Sequence, residues 1–431
     1  LIIKNIWHRR TTNAWLFIEL IIVTIVTWVI IDPVVVTVSD KMLPLGYDEE
    51  RLLYITLKEQ PNESPAHIES EDNDESRKTN IESVIKKLRT VDGIESVARL
   101  PFKLNEVFMI EKYVCGDSAI DSLKKQIFSF YFSLNDGALS AIGAEAAEGC
   151  PSIEELEKMQ FGYYDIILPE SVDRFYFPDH RGVNEKYLTE KLTGSDYEIQ
   201  HKVVGVLKDL RPVKSQRNTA IVYHNDNRPS LTSPQFIIRL NQDINPDEFI
   251  KDNTEKLREL VATGNYYLWD IASVIETNKQ DEVRRGITAK QNLRIALAAL
   301  FLINLMLGVI GTVWLQTRRR ISEIGIYRTF GALKINVRTM LIGENIILST
   351  VAIIIGLLLY FQYAHKEGLF DSAKNAEHYI QNYSWVADFA PHFAIVSAIV
   401  AAIILLCVAI GTYLPARKAS NIEPVDALRD E

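Results

Sequence analysis

The sequence predicts an α+β membrane protein: four transmembrane helices, with a large α/β domain between the first and the second. Three observations predict it. Apolar runs long enough to cross a bilayer occur at residues 14–31, 295–315, 345–364 and 393–414. No run of that length occurs in the 257 residues from 34 to 290, which therefore lie on one side of the membrane. Within that block, strand-like alternation and helix-like spacing of apolar residues follow one another. A mean hydropathy of +0.01 for the 431 residues averages these two unlike parts and describes neither.

Lys4, Arg9 and Arg10 precede the first apolar run, which only Glu19 interrupts. A secretory signal shares that charge and that apolar core. Here Asp32, Pro33 and a Val-Val-Val-Thr-Val run stand in place of a small-x-small cleavage site, so residues 1–33 predict an uncleaved anchor. Its apolar part, at ~1.5 Å per residue, just reaches across the hydrocarbon core. Glu19 lies about a turn and a half inside the span, near enough to the edge to reach the interface or a basic partner. Leu1 in place of Met predicts a few residues upstream.

Residues 51–58 alternate as a strand, and 60–77, rich in Pro, Ser and acids, read as a loop. Asp72 and Asp74 lack the glycine and closing glutamate of a calcium loop. Ile81, Val84, Ile85 and Leu88 share one face of a helix over 80–90, and 94–108 reads as extended chain. A second β-α-β unit follows at 235–240, 246–262 and 266–271. The two units define a split domain, 51–107 and 233–272. The inserted segment, 108–232, is β-rich, with strands at 128–133, 163–168, 201–207 and 220–223. Residues 277–290 are polar and helix-permissive up to Gly286 and continue without a proline into the second span, as a stalk.

The second span, 293–315, stops at Arg318, Arg319 and Arg320, which hold the membrane edge. A short helix, 321–331, follows. Ser322 suits its N-cap, Glu323 its first turn, and Gly331 its C′ position. Ile321, Ile324 and Tyr327, with Ile326 and Phe330 beside them, give it an apolar face that presses on another protein. The third span, 342–362, opens beside Glu344, read as a cap or as a salt bridge with Arg338 or a loop arginine. The fourth, 392–414, ends at Pro415. Basic residues in the short loops, including Arg417 and Lys418, place both termini and the 316–341 loop inside, and residues 34–290 and 363–391 outside.

These residues also carry a resemblance. Arg318 to Ala332, R-R-x-I-S-E-I-G-I-x-R-x-x-G-A, and Tyr413 to Arg429, Y-L-P-A-R-K-A-S-N-I-E-P-V-D-A-L-R, resemble the two signatures of the FtsX-like permease domain found in MacB-type ABC transporter membrane subunits. Residues 164–172 and 198–209 resemble the MacB periplasmic core more loosely. The resemblance implies a bacterial inner-membrane protein with a permease domain over 291–431 and a periplasmic domain over 34–290, the latter porter-like with a β-rich subdomain inserted. It further implies that 321–331 is a coupling helix docking on a cytoplasmic ATPase. Ile324, Ile326, Tyr327 and Phe330 would make the contact, Arg328 would add an ion pair, and Ser322, Glu323, Gly325, Gly331 and Ala332 complete the motif.

Several chemistries are excluded by what the sequence lacks. No G-x-x-x-x-G-K-[ST] occurs, so any ATP and Mg belong to a separate P-loop ATPase. The histidines of the large block are dispersed without ligand spacing and no G-x-S-x-G is present, so no catalytic or metal residues are assigned. Residues 34–290 hold 32 Lys plus Arg against 44 Asp plus Glu, which speaks against nucleic acid. Cys115 and Cys150 could pair outside the cytoplasm, whereas Cys407 is a small apolar residue in a span. The formal charges of the spans, Glu19, Arg294 and Glu344, all stand near boundaries, so no polar path crosses the bilayer.

The expectation is a mechanically coupled, dimeric permease, paired with itself or a relative. It exports peptides, toxins or drugs from the periplasm, with a periplasmic adaptor, an outer-membrane channel and membrane lipid as further partners. The alternatives are a lipoprotein-releasing permease, an FtsX-like regulator of a cell-wall hydrolase, and a receptor without an ATPase. The coupling motif speaks against the last.

Overall fold

The computed structural model describes residues 10–106, 108–114, 125–178, 183, 186–191, 198–215, 217–224, 230–369, 385–386 and 388–421. In chain order they open with helix α1 (Arg10–Met42), strand β1 (Leu52–Glu59), helix α2 (Asp74–Leu88) and strand β2 (Ile94–Leu100). Next come β3 (Phe108–Val114), β4 (Lys125–Phe132), α3 (Ala138–Ile142), α4 (Ile153–Lys158), β5 (Asp165–Pro169), α5 (Glu170–Tyr176), β6 (Tyr187–Lys191), β7 (Glu198–Leu207) and β8 (Ala220–His224). The chain then runs through β9 (Gln235–Leu240), α6 (Pro246–Val261), β10 (Tyr266–Ser273) and α7 (Val274–Arg284). It closes with α8 (Ile287–Arg318), α9 (Ile321–Thr329), α10 (Lys334–Glu367) and α11 (Phe389–Ser420). Two compact units result: a helical one (Leu1–Val38, Thr288–Lys374, Trp385–Glu431) and a mixed α/β one (Ser39–Ile287, Asn375–Ser384).

In the α/β unit the two β-α-β halves share one antiparallel sheet, ordered β10-β1-β9-β2, the split β-α-β arrangement. Leu53, Ile55 and Leu57 of β1 face α2 and α6, packing on Ile81, Val84, Phe249 and Leu257. The alternate residues Leu52 and Tyr54 join a second core with Phe130, Phe132 and Leu139, so β1 is buried on both faces. Helix α2 begins six residues earlier than the 80–90 stretch because Asn73 caps it, accepting from the Ser76 N–H, with Asp74 and Glu75 in the first turn.

The inserted segment closes as a barrel, β3-β4-β8-β5-β7-β6, whose β4/β8 and β5/β7 pairs are parallel and whose other pairs are antiparallel. Ile127, Ile166, Leu188, Val203, Val206 and Ile221 form its packed core. Strands β3 and β6 escape sequence reading, as do the helices α3, α4 and α5, which are too brief to show a helical period. Cys150 is half-buried and burial pushes its thiol up, while Cys115 lies outside the described residues, as do Lys4, Arg9 and residues 422–431.

Arg211 ties the start of this unit together. It is fully buried and donates to the carbonyls of Asp40 (3.0 Å), Leu43 (2.8 Å) and Lys214 (2.9 Å), while its own amide donates to Leu45 (2.8 Å). Burial pushes the guanidinium down to about 10. Arg211→Met keeps the length and removes the donors, leaving several carbonyls unanswered. It is expected to destabilise the α/β unit by about 3 kcal/mol or more, read as a lowered thermal midpoint and earlier proteolysis near residues 40–45.

The helical unit holds four helices long and apolar enough to cross a membrane: Ala14–Met42, Ile287–Arg318, Lys334–Glu367 and Phe389–Ser420. The helices run beyond the expected bounds: α8 and α10 begin at Ile287 and Lys334, before 293 and 342, and two helices continue past a proline. The first span does not end at Pro33, because α1 continues to Met42. The fourth does not end at Pro415, which lies inside α11, buried with Ala416, Ala419 and Ser420. Proline removes one helix hydrogen bond, and in apolar surroundings the packed turns on either side retain the helix. The stalk also differs: α7 and α8 are separate helices, parted at Gly286, whose φ of +71° favours glycine. Leu20, Trp28, Leu305, Val309, Ala352 and Val400 contribute to the core of the unit. A Cβ on Gly356 would come within 2.9 Å of Thr24, so glycine there lets α1 and α10 approach closely.

Candidate functional site

The hinge between α8 and α10 is built by a tight turn. The Arg320 N–H donates to Thr317 (3.0 Å), and the Arg320 carbonyl already accepts the first α9 bond, from the Ile324 N–H (3.0 Å). The N-cap is therefore Arg320, with no side-chain cap, and Ser322 lies inside the first turn beside Glu323. The sequence assignment of Ser322 to the N-cap is corrected: the turn leaves only Arg319 and Arg320 between the helices, so α9 starts before Ser322 can cap it. At the other end Gly331, at φ +89°, donates to Arg328 (3.1 Å) and Ala332 donates to Tyr327 (3.0 Å), the paired bonds of a Schellman turn. Arg328 donates to the Ala332 carbonyl (2.9 Å), so it closes this turn.

Helix α9 presents two unlike faces. Ile324, 3% exposed, packs with Val337, Leu341, Ala416 and Ala419, and Gly325 is buried beside it. Ile324 is thereby removed from the contact face assigned to it, because the ends of α10 and α11 cover it. Ile326, Tyr327 and Phe330 remain exposed, Phe330 at 88%. Leu333 and Ile335, not singled out in the sequence, are also exposed apolar residues just past the turn. Their signal was present as apolar residues at a helix start, where alone they read as the approach to the third span.

A buried ion pair fixes this surface to the third span. Arg320 donates Nη1 to Glu344 Oε2 (2.6 Å) and Nη2 to Oε1 (3.2 Å), a two-pronged contact, with Glu323 3.7 Å from its Nε. Arg318 and Arg319 are exposed, as are Arg417 and Lys418, the last with its ammonium 4.5 Å from the Trp314 ring centroid. Glu19 is half-buried, and a Cβ on Gly308 would come within 2.5 Å of its Oε1, so the carboxylate lies against the bare backbone of α8.

A second polar cluster, absent from the sequence reading, joins α1 to α11. His392 Nε2 lies 2.6 Å from Asp32 Oδ1 and His392 Nδ1 lies 3.0 Å from the Val386 carbonyl, with His392 fully buried and Asp32 nearly so. Trp28 donates its indole N–H to Ser397 Oγ (3.1 Å), stacks on Phe393 and lies tilted against Tyr360. The expectation that Glu19, Arg294 and Glu344 are the only charged groups of the spans is corrected. Because α1 runs on to Met42 and α11 begins at Phe389, Asp32 and His392 both lie inside long helices. Among the described residues no three His, Cys, Asp or Glu side chains are grouped to hold a metal ion.

Among solved structures, the periplasmic region of MacB from Actinobacillus actinomycetemcomitans is similar over 55% of this chain and 94% of that one, at 12% identity and a TM-score of 0.28. A domain ascribed to a permease protein of Porphyromonas gingivalis is similar over 53% and 94%, at 12% identity and a TM-score of 0.30. No curated protein matches the chain. Residues 295–424 match the family of FtsX-like permease C-terminal domains. The hinge, its Arg320–Glu344 pair and most of the second, third and fourth spans thus lie within the stretch that matches the FtsX-like permease C-terminal domain.

Proposed function

We propose that this chain is the transmembrane subunit of an ABC transporter of the MacB/FtsX kind, driven by ATP and Mg bound on a separate ATPase. The observation that carries the reading is the exposed apolar surface of Ile326, Tyr327, Phe330, Leu333 and Ile335 on a hinge whose length and attachment are both fixed. Large exposed apolar groups on a hinge joining two long helices are stable when a protein partner covers them. Closure of a pair of ATPase subunits would push on this hinge. The Arg320–Glu344 contact would pass the displacement to α10, and α8 would carry it to the break at Gly286. Two copies of the chain, or the chain and a relative, would face the two ATPases. Export of peptides, toxins or drugs from the outer face is the transport reading that accompanies this arrangement.

Tyr327→Glu with Phe330→Glu tests it. Both side chains are exposed, so the helical unit should insert and fold normally. Aromatic anchors of this kind contribute about 2 kcal/mol each or more, so co-purification of the P-loop ATPase should fall by at least about a hundredfold. Undiminished co-purification would remove the coupling surface. Gly325, being buried, is unsuited to the same test, since a charge there would disturb folding.

A further inference from the structure

We propose that the cleft between the ends of α8 and α11 binds the phosphate headgroup of an anionic phospholipid, with Arg318 and Lys418 as its counter-ions. The cleft has a volume of about 180 Å³ and is lined by Trp314, Thr317, Arg318 and Ile321 from one side and by Pro415, Lys418 and Ala419 from the other. Among the described residues its charges are basic. Neither Arg318 nor Lys418 makes an ion pair among the described residues, and the acids of this region, Glu323 and Glu344, are both engaged by Arg320. Lys418 is held at the mouth by the Trp314 ring, 4.5 Å from its ammonium.

The surroundings select a lipid over a soluble anion. Leu300, Ile303, Leu307, Gly311 and Trp314 recur every three or four residues, all exposed, along one line of α8 that ends at Arg318. Leu406, Ile410 and Leu414 form a matching line on α11 that ends at Lys418. Nothing lies within 4 Å of a Cβ built on Gly311, so the first line is open along its length. Each cation thus stands at the head of an apolar stripe, with a tryptophan at the level where indoles favour the membrane interface. A phosphate with two hydrocarbon tails matches both features at once, whereas free phosphate gains nothing from the stripes.

The test uses the full chain, purified in detergent, delipidated, and read by native mass spectrometry after addition of phosphatidylglycerol or phosphatidylcholine. Phosphatidylglycerol should be retained and phosphatidylcholine not. Arg318→Gln with Lys418→Gln should lower that retention roughly thirtyfold, since two cations at a membrane surface are removed. Equal retention of the two lipids, or of phosphatidylglycerol by the wild type and the variant, overturns the proposal. Complete displacement by inorganic phosphate overturns it in favour of a soluble anion. A manyfold rise in retention on deleting residues 422–431, which include Glu423 and Asp426, overturns it in favour of the chain's own acidic tail. Should the double variant not fold, brominated phosphatidylglycerol must quench a fraction of tryptophan emission that is lost in Trp314→Phe, and brominated phosphatidylcholine must not. Absence of that fraction is equally fatal.

Discussion

Replacing Asp32 with leucine is expected to destabilise the four-helix unit by about 3–5 kcal/mol, because it leaves a fully buried histidine with half of its hydrogen bonding unanswered. The geometry counts the protons. A carbonyl only accepts, so His392 Nδ1, facing Val386, carries a hydrogen. At 2.6 Å the contact between Nε2 and Asp32 Oδ1 requires one more hydrogen between them. The pair is therefore neutral as a whole, whether written as imidazolium and carboxylate or as imidazole and acid. Each partner supplies what the other lacks in a place where water does not reach.

The substitutions rank accordingly. Asp32→Asn should cost only about 1–2 kcal/mol, because the amide can donate to a neutral Nε2. His392→Leu should be about as harmful as Asp32→Leu, since it strands an acid. The double replacement by leucine should recover much of the loss, as paired removal of a buried ion pair commonly does. Denaturant or thermal unfolding of the full chain in detergent, run as a double-mutant cycle, measures the coupling. Additive single and double effects would show that the two side chains do not act together.

The spans were legible because a bilayer demands long runs without charge, and α8, α10 and α11 satisfy it openly. Their ends were not. Pro415 reads as a stop, the correct rule for an isolated helix in water, yet it lies inside a helix sustained by its packing, and α1 likewise runs on past Pro33. The missed extension of α1 hid the Asp32–His392 pair, whose members are 360 residues apart and each look like the polar flank of a separate span. Within the hinge, periodicity showed that α9 had an apolar side but not which apolar residues were covered. Ile324 and Ile326 are alike in sequence and opposite in burial, and the difference is made by Ala416 and Ala419, some 90 residues further on. The interleaving of the two β-α-β halves into one sheet depends likewise on pairings between strands nearly 200 residues apart, such as Tyr54 with Ile237.

Arg320 and Glu344 should be unequal partners, and the inequality is the second expected result. Glu344 is nearly buried among the helices and has Arg320 as its partner, whereas Arg320 is slightly more open and also has Glu323 within 3.7 Å. Arg320→Leu therefore strands a buried carboxylate and should cost about 3–5 kcal/mol. Glu344→Leu leaves an arginine that can turn toward Glu323 or the membrane edge, and should cost about 1–3 kcal/mol. Arg320→Lys should recover only part of the loss, because one ammonium cannot reproduce a two-pronged contact with both carboxylate oxygens. If the pair also transmits force, Arg320→Leu should uncouple ATP turnover from transport at temperatures where the protein is still folded, while ATPase co-purification persists. Equal costs for the two leucine variants would show that Glu344 finds its stabilisation elsewhere. Intact coupling in a folded Arg320→Leu protein would leave the pair as a brace of the hinge alone.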